Sequence, residues 1–201
     1  MPHRHWRCCL NKKSDRANDI PAGQTLARLE RLARLIRSAS HTHGLNAAQW
    51  EALRFLSRAN YFSNSPGALA HYLSATKGTT SQTVLSLIKK GMINKSSRGM
   101  DGRSVVLDLT EKGIQTLEDD PLSNLNQTLT DLSDKTAKRF AKGLNELLHS
   151  EVKRQGEPSF GTCGNCIFAS KMDDAVFCNA MKARVEIVDA QKLCVYHKAK
   201  T

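Results

Sequence analysis

No run of apolar residues in this 201-residue chain is long enough to span a membrane. Nor does one follow the N-terminal stretch Met1-Pro2-His3-Arg4-His5-Trp6-Arg7, as the core of a secretory signal would. A cytoplasmic setting is therefore expected, and there thiols stay reduced. Acidic side chains are scarce as well: 19 Asp and Glu stand against 30 Lys and Arg, for a net charge of +11. An anionic partner is the first expectation, although net charge by itself speaks only of non-specific association. Its distribution says more. Residues 61–110 carry six Lys/Arg and two Asp, and residues 1–37 carry nine against three acids. Both would suit phosphate contacts, where each neutralised charge releases counterions. A merely solvated surface is the plainer alternative.

The organisation follows from periodicity and breaks. Residues 1–21 form a loosely ordered basic N-terminus with Cys8 and Cys9, adjacent thiols ill-suited to share one tetrahedral site. From Gln24 to Ser38, Leu26, Leu29, Leu32, Ala33 and Ile36 recur at helical steps. Leu45 to Leu53 reads as a capped amphipathic helix and Pro66 to Leu73 as a short second one. The tight turn Ser74-Ala75-Thr76 leads into a hydroxyl- and amide-rich helix from Lys77 to Lys90, closed by Gly91. Met92-Ile93-Asn94-Lys95, a polar tip at Arg98–Arg103, and Val105–Leu109 suggest a hairpin. Leu-Thr-Glu-Lys-Gly at 109–113 then opens further helix. Leu122, Leu125, Leu129 and Leu132, continued by Phe140, Leu144, Leu147 and Leu148, mark a face able to pack on another helix. Residues 155–161 read as a linker, and 162–201 as a separate cysteine-containing tail.

The order of these elements is that of a winged helix-turn-helix. Residues 22–154 resemble the MarR family of bacterial transcription factors. The Leu73-to-Gly91 interval, the Asp101-x-Arg103 pair and the Leu-Thr-Glu-Lys-Gly exit all fall at that family's spacing. The resemblance implies a mainly α (α+β) fold, with N- and C-terminal helices that interleave between two subunits of a homodimer. It also implies double-stranded DNA as partner, at a near-palindromic operator, and leaves room for a small-molecule effector.

Chemistry narrows the reading residues. A helix entering the major groove presents short polar and basic side chains near its N-terminus. Thr76 suits the N-cap, Lys77, Thr79, Ser81 and Gln82 would face outward, and Thr80, Val84 and Leu87 inward. Gly78, a poor helix former, either admits a phosphate close to the backbone or simply weakens the helix. In the wing, Lys95 and Arg98 would add positive charge. By resemblance, Arg103 enters a minor groove and Asp101 orients it, and narrow A/T-rich grooves do attract Arg.

In the tail, Cys163, Cys166, Cys178 and Cys194 form a Cys-x2-Cys pair and two singles within 32 residues. In a reducing compartment this density points to a metal site. Zinc ribbons supply two close pairs, whereas a cubane accepts one thiolate from each direction. Cys163, Asn165, Cys166, Phe168, Cys178 and Cys194 resemble the cluster loop of high-potential iron–sulfur proteins. Leu193 departs from that family's aromatic residue before the last Cys, and the Gly-rich segment after the third is missing, so only the ligand set is implied. A [4Fe–4S] cluster on the four Cys is the expected cofactor. Zn2+ is the alternative, with His197 able to replace one thiolate. No strand–helix alternation of a thioredoxin-like fold is present and no acid–base constellation accompanies the thiols, so no enzyme is expected.

The combined expectation is a MarR-type regulator whose operator affinity is controlled by an iron–sulfur cluster sensing redox state, oxygen or iron. The alternative is a regulator of the same type that senses a small aromatic ligand and carries a structural zinc. Because the tail follows the dimer helix, its loosening is expected to alter the spacing or order of the two reading heads.

Overall fold

Asn46 starts the fold's central helix with a reciprocal cap. Its side-chain oxygen accepts the Gln49 N–H at 2.9 Å, and Gln49 Oε1 accepts the Asn46 N–H at 3.1 Å. The helix that follows, α2 (Ala47–Arg58), buries Trp50, Leu53, Phe55 and Leu56. Full burial of each such side chain is worth roughly 1.5–3 kcal/mol before entropy is counted. A computed structural model describes residues 21–98 and 104–200 of the chain. It divides into two compact units, one ending at Arg37 and one running from Ser38 to Thr201. The first contains most of α1 (Ala22–Ala39), which leaves Leu26, Leu32 and Leu35 exposed.

Within the second unit, α3 (Pro66–Tyr72) and α4 (Lys77–Lys89) pack on α2 around Leu69, Val84 and Leu87. An antiparallel hairpin follows, β1 (Ile93–Arg98) with β2 (Ser104–Leu109), pairing Ile93 with Leu109 and Arg98 with Ser104. Thr110 caps α5 (Glu111–Glu118), and its hydroxyl also donates to the Gly91 carbonyl at 2.7 Å. A β-carbon at Gly113 would collide with the Met92 carbonyl, so the Thr-x-x-Gly exit is a close backbone crossing that only glycine permits. This region is a winged helix-turn-helix, mainly helical with a small sheet, as expected.

The apolar rhythm read as one long helix divides in two, α6 (Ser123–Thr130) and α7 (Asp134–Gln155). Leu132 lies between them. In α7, Phe140, Leu144, Leu147 and Leu148 are about half exposed and share one face. Gly156 ends α7 in the left-handed conformation at φ 71°. Among the described residues no helix is long and apolar enough to cross a membrane.

The tail is a small antiparallel meander, β3 (Ala169–Lys171), β4 (Ala175–Cys178) and β5 (Ala183–Glu186), followed by the single turn α8 (Ile187–Ala190). It does not stand apart from the winged helix. Phe160, in the segment read as a linker, packs edge-on against Phe55 and Tyr72. Leu193 donates to the Arg58 carbonyl at 2.7 Å and accepts from the Asn60 N–H at 2.9 Å. Phe62, from the loop between α2 and α3, joins the tail's own core of Cys178, Val185 and Ala190.

Candidate functional site

The reading helix is set by the turn before it. Ala75 donates to the Ala70 carbonyl and Ser74 to that of His71, with Ser74 left-handed at φ 47°. This double closure stops α3 and redirects the chain. Thr76 then caps α4, its Oγ1 accepting the Thr79 N–H at 3.2 Å. Thr80, Val84 and Leu87 are buried, while Thr76, Lys77, Thr79, Ser81 and Gln82 are exposed on the outward face. Gln49 anchors the helix from behind, donating to Ser86 Oγ at 2.8 Å. Nothing within the chain requires glycine at 78, where a β-carbon would meet only the Thr76 hydroxyl at 3.9 Å.

In the wing, Lys95 is exposed on β1 and Arg98 is that strand's last residue. Asp101 and Arg103 lie outside the described residues, as do Cys8 and Cys9. The scaffold is braced by Arg54 of α2, which grips Asp120 through two bonds of 2.7 Å and lies over the Trp50 ring. Burial pushes the Asp120 carboxyl up, but Arg54 and the Leu122 N–H outweigh it and hold it below the usual range.

The four tail cysteines meet. Cys163 opens a 3-10 turn (Cys163–Asn165), Cys166 follows it, Cys178 ends β4, and Cys194 bridges back to Gly161. All four are free thiols, and all four line one small pocket with about 10 Å³ of enclosed space, room for about a single water. Asn60 and Phe62 of the winged helix complete its wall. Among the described residues, no three Cys, His, Asp or Glu side chains stand close enough to hold a single ion between them. Burial, with repulsion from the neighbouring thiolates, pushes Cys163 up to about 11 and raises Cys194 as well. An occupant that needs thiolates must therefore displace protons.

His197, the alternative zinc ligand, does not face solvent. It is buried, with Nδ1 at 2.6 Å from Ser159 Oγ and Nε2 at 2.8 Å from Asn165 Oδ1. Asn165 can only accept at that oxygen, so Nε2 carries the proton, and the single proton of the Ser159 hydroxyl lies between two acceptors, Nδ1 and the His197 carbonyl at 3.1 Å. Both nitrogens are thus engaged, and burial keeps the ring neutral by lowering its pKa. This geometry makes His197 a staple of the tail.

Residues 43–104, under a third of the chain, match the model of the MarR family. Solved structures agree over a longer span. A MarR transcriptional regulator from Methanosarcina mazei Go1 is 24% identical with a TM-score of 0.52, covering 65% of this chain and 96% of that one. S. aureus MepR in its DNA-binding conformation is 19% identical with a TM-score of 0.56, over 65% and 98%. The S. aureus MepR–DNA complex gives 19% and 0.53, over 66% and 99%. Residues 43–104 thus match the MarR family, and the winged helix shares its fold with these regulators. A comparison with curated proteins gives no match.

Each of these structural matches leaves about a third of the chain uncovered. Sequence reasoning missed the MarR-type domain's contribution to the cysteine cavity, Asn60 and Phe62. Only a faint signal marked them: Asn60-Tyr61-Phe62 places two aromatic residues in a short interhelical loop where polar residues are usual.

Proposed function

We propose that this protein is a sequence-specific DNA-binding transcriptional regulator of MarR type, acting as a homodimer, whose operator affinity is controlled by a [4Fe–4S] cluster. Cys163, Cys166, Cys178 and Cys194 would hold that cluster. The family match and the exposed polar face of α4 support the DNA-binding part. The observation that carries the cofactor is the one small pocket that all four cysteines line. A lone zinc would draw four sulfurs to about 2.3 Å from one point, whereas a cubane needs thiolates at its corners.

On DNA, Thr76, Lys77, Thr79, Ser81 and Gln82 enter the major groove. Gln82 can pair with adenine and Thr79 can meet a thymine methyl. Lys95 and Arg98 follow the backbone, and Arg103, oriented by Asp101, takes the minor groove. The half-exposed leucines of α7 pair with a second copy, placing two heads roughly 34–36 Å apart on a near-palindrome. Bound, the cluster supplies a redox- and oxygen-sensitive group. The chain holds it dry with Phe62 and Phe168, and stiffens its frame with the Ser159–His197–Asn165 bridge.

Anaerobic purification with iron, sulfide and visible-absorption analysis tests this reading. Iron and acid-labile sulfide near about four each per chain, in a brown protein, is the expected result. One zinc in a colourless protein would overturn the cluster, making the tail structural and moving the signal to a small ligand.

A further inference from the structure

The ends of α3 and α7 and the last residues of the tail frame an open cleft of about 840 Å³ that the proposed regulator does not yet use. That volume suits a small organic molecule. Much of its wall is apolar: Val152 of α7, Pro158 just after it, and Phe168, Val195 and Tyr196 of the tail. Phe168 and Tyr196 also line the cysteine pocket, so the two sites share a wall. His149 and Lys153, four residues apart, project from the side of α7 opposite Phe140, Leu144 and Leu147. A dimer built on those apolar residues leaves that side of the helix open.

The charge of the cleft is one-sided. Lys153 and Lys198 line it, and among the described residues neither has an ion-pair partner. The Lys198 ammonium lies over the Phe168 ring, 5.7 Å from its centre. Glu157 is the one acid among the lining residues, and it is already engaged, with His71 Nδ1 at 2.8 Å from its carboxylate. An ionised carboxylate can only accept, so Nδ1 donates. Two unpaired cations beside an apolar wall complement a molecule that carries an anionic head on an apolar body.

His71 stands where occupancy would be felt. Its carbonyl accepts the Ser74 N–H and so helps close the turn ahead of α4. Glu157 follows Gly156, the residue that ends α7. The pair ties the end of α7 to the turn that sets the reading helix. We propose that this cleft binds a small organic anion with an apolar body, Lys153 and Lys198 taking the charge and Phe168 and Tyr196 the body, and that the bound anion competes with Glu157 for His71. Its effect on DNA rests on the DNA-binding reading given above and is independent of the cysteine cofactor. Displaced from His71, Glu157 no longer holds the turn, and operator affinity falls.

The test titrates the full chain by calorimetry with octanoate and with phenyl phosphate, against octanol and inorganic phosphate as controls. One of the two organic anions is expected to saturate one site per chain, and the tighter of them identifies the head group. Both lysines are exposed, so Lys153→Gln/Lys198→Gln should fold, and it should bind that anion roughly tenfold more weakly. Glu157→Gln, which removes the competing charge, should bind it about threefold more tightly. Absence of saturable binding, equally tight binding of octanol or of inorganic phosphate, or an unchanged affinity in the double lysine variant overturns the proposal. The saturating anion should also weaken binding to an operator selected from random duplexes by about fivefold or more, and an unchanged operator affinity overturns the coupling to His71. A ligand-free protein that selects no duplex overturns the DNA-binding reading instead, while calorimetry still decides the site.

Discussion

Two glycines of the reading head have opposite surroundings. Gly113 lies where α5 crosses the Met92 carbonyl. Gly113→Ala is therefore expected to cost roughly 1–3 kcal/mol by overpacking, measured as a lower urea midpoint with an unchanged slope. Gly78 is the opposite case, since its β-carbon would find room. Gly78→Ala should raise stability by about 0.5 kcal/mol. If a phosphate approaches there, the same variant binds its operator more weakly, and unchanged affinity would leave the glycine without a DNA role. Lys77→Ala should make the salt dependence of operator binding shallower by about one in log–log slope. A slope like the wild type's would remove Lys77 from the phosphate contacts.

At the scale of elements, α7 carries the argument. Phe140, Leu144, Leu147 and Leu148 follow i, i+4, i+7, i+8 spacing and remain half exposed. The double variant Leu144→Glu/Leu147→Glu is expected to yield a monomer by light scattering while circular dichroism still reports its helices. Operator affinity should fall with it, because two linked heads bind more tightly than one. A dimer that survives both charges would place the interface elsewhere. Leu132 continues the leucine rhythm yet lies between α6 and α7, where the short helix of residues 123–130 ends and Ser133 precedes the next. Leucine spacing alone cannot register such a break, because it records which side is apolar and not whether the backbone bonds continue.

At the scale of the whole molecule, protons and cofactor are linked. Burial lifts the Cys163 and Cys194 thiols, Cys163 to about 11, so loading of the proposed cluster at neutral pH would expel protons. Cluster reconstitution should therefore be faster and more complete at pH 8.5 than at pH 6.5, followed by visible absorption. His197 acts in the same direction on the fold. Its folded pKa lies below the ordinary value of 6.5, so the unfolded chain binds its proton more readily. That stability is fully present above pH 6.5 and is lost as pH falls through the folded pKa. His197→Gln, which removes this titration, should flatten the acid side of the stability curve in that window, and an unchanged curve would remove His197 as its source.

The sequence by itself determined everything local. Caps at Asn46, Thr76 and Thr110 and the inward and outward faces of α4 each depend on a few neighbouring residues. Their hydrogen-bonding and steric rules act over one turn of chain, so they can be read in order. The choice of four cysteines as a set was legible for the same reason, as a matter of residue type and spacing. Tertiary structure alone decided where that set sits. Asn60 and Cys194 are far apart in sequence, and no periodicity links a loop between two helices to a tail at the far end. What joins them is the packing of Phe160 and Leu193 on the winged-helix core and of Phe62 on the tail's core, with the need to satisfy the backbone groups beside them. Burial is non-directional along the chain, so the cysteine cavity came to be walled by the reading head through packing, and packing is visible only when the whole molecule is assembled.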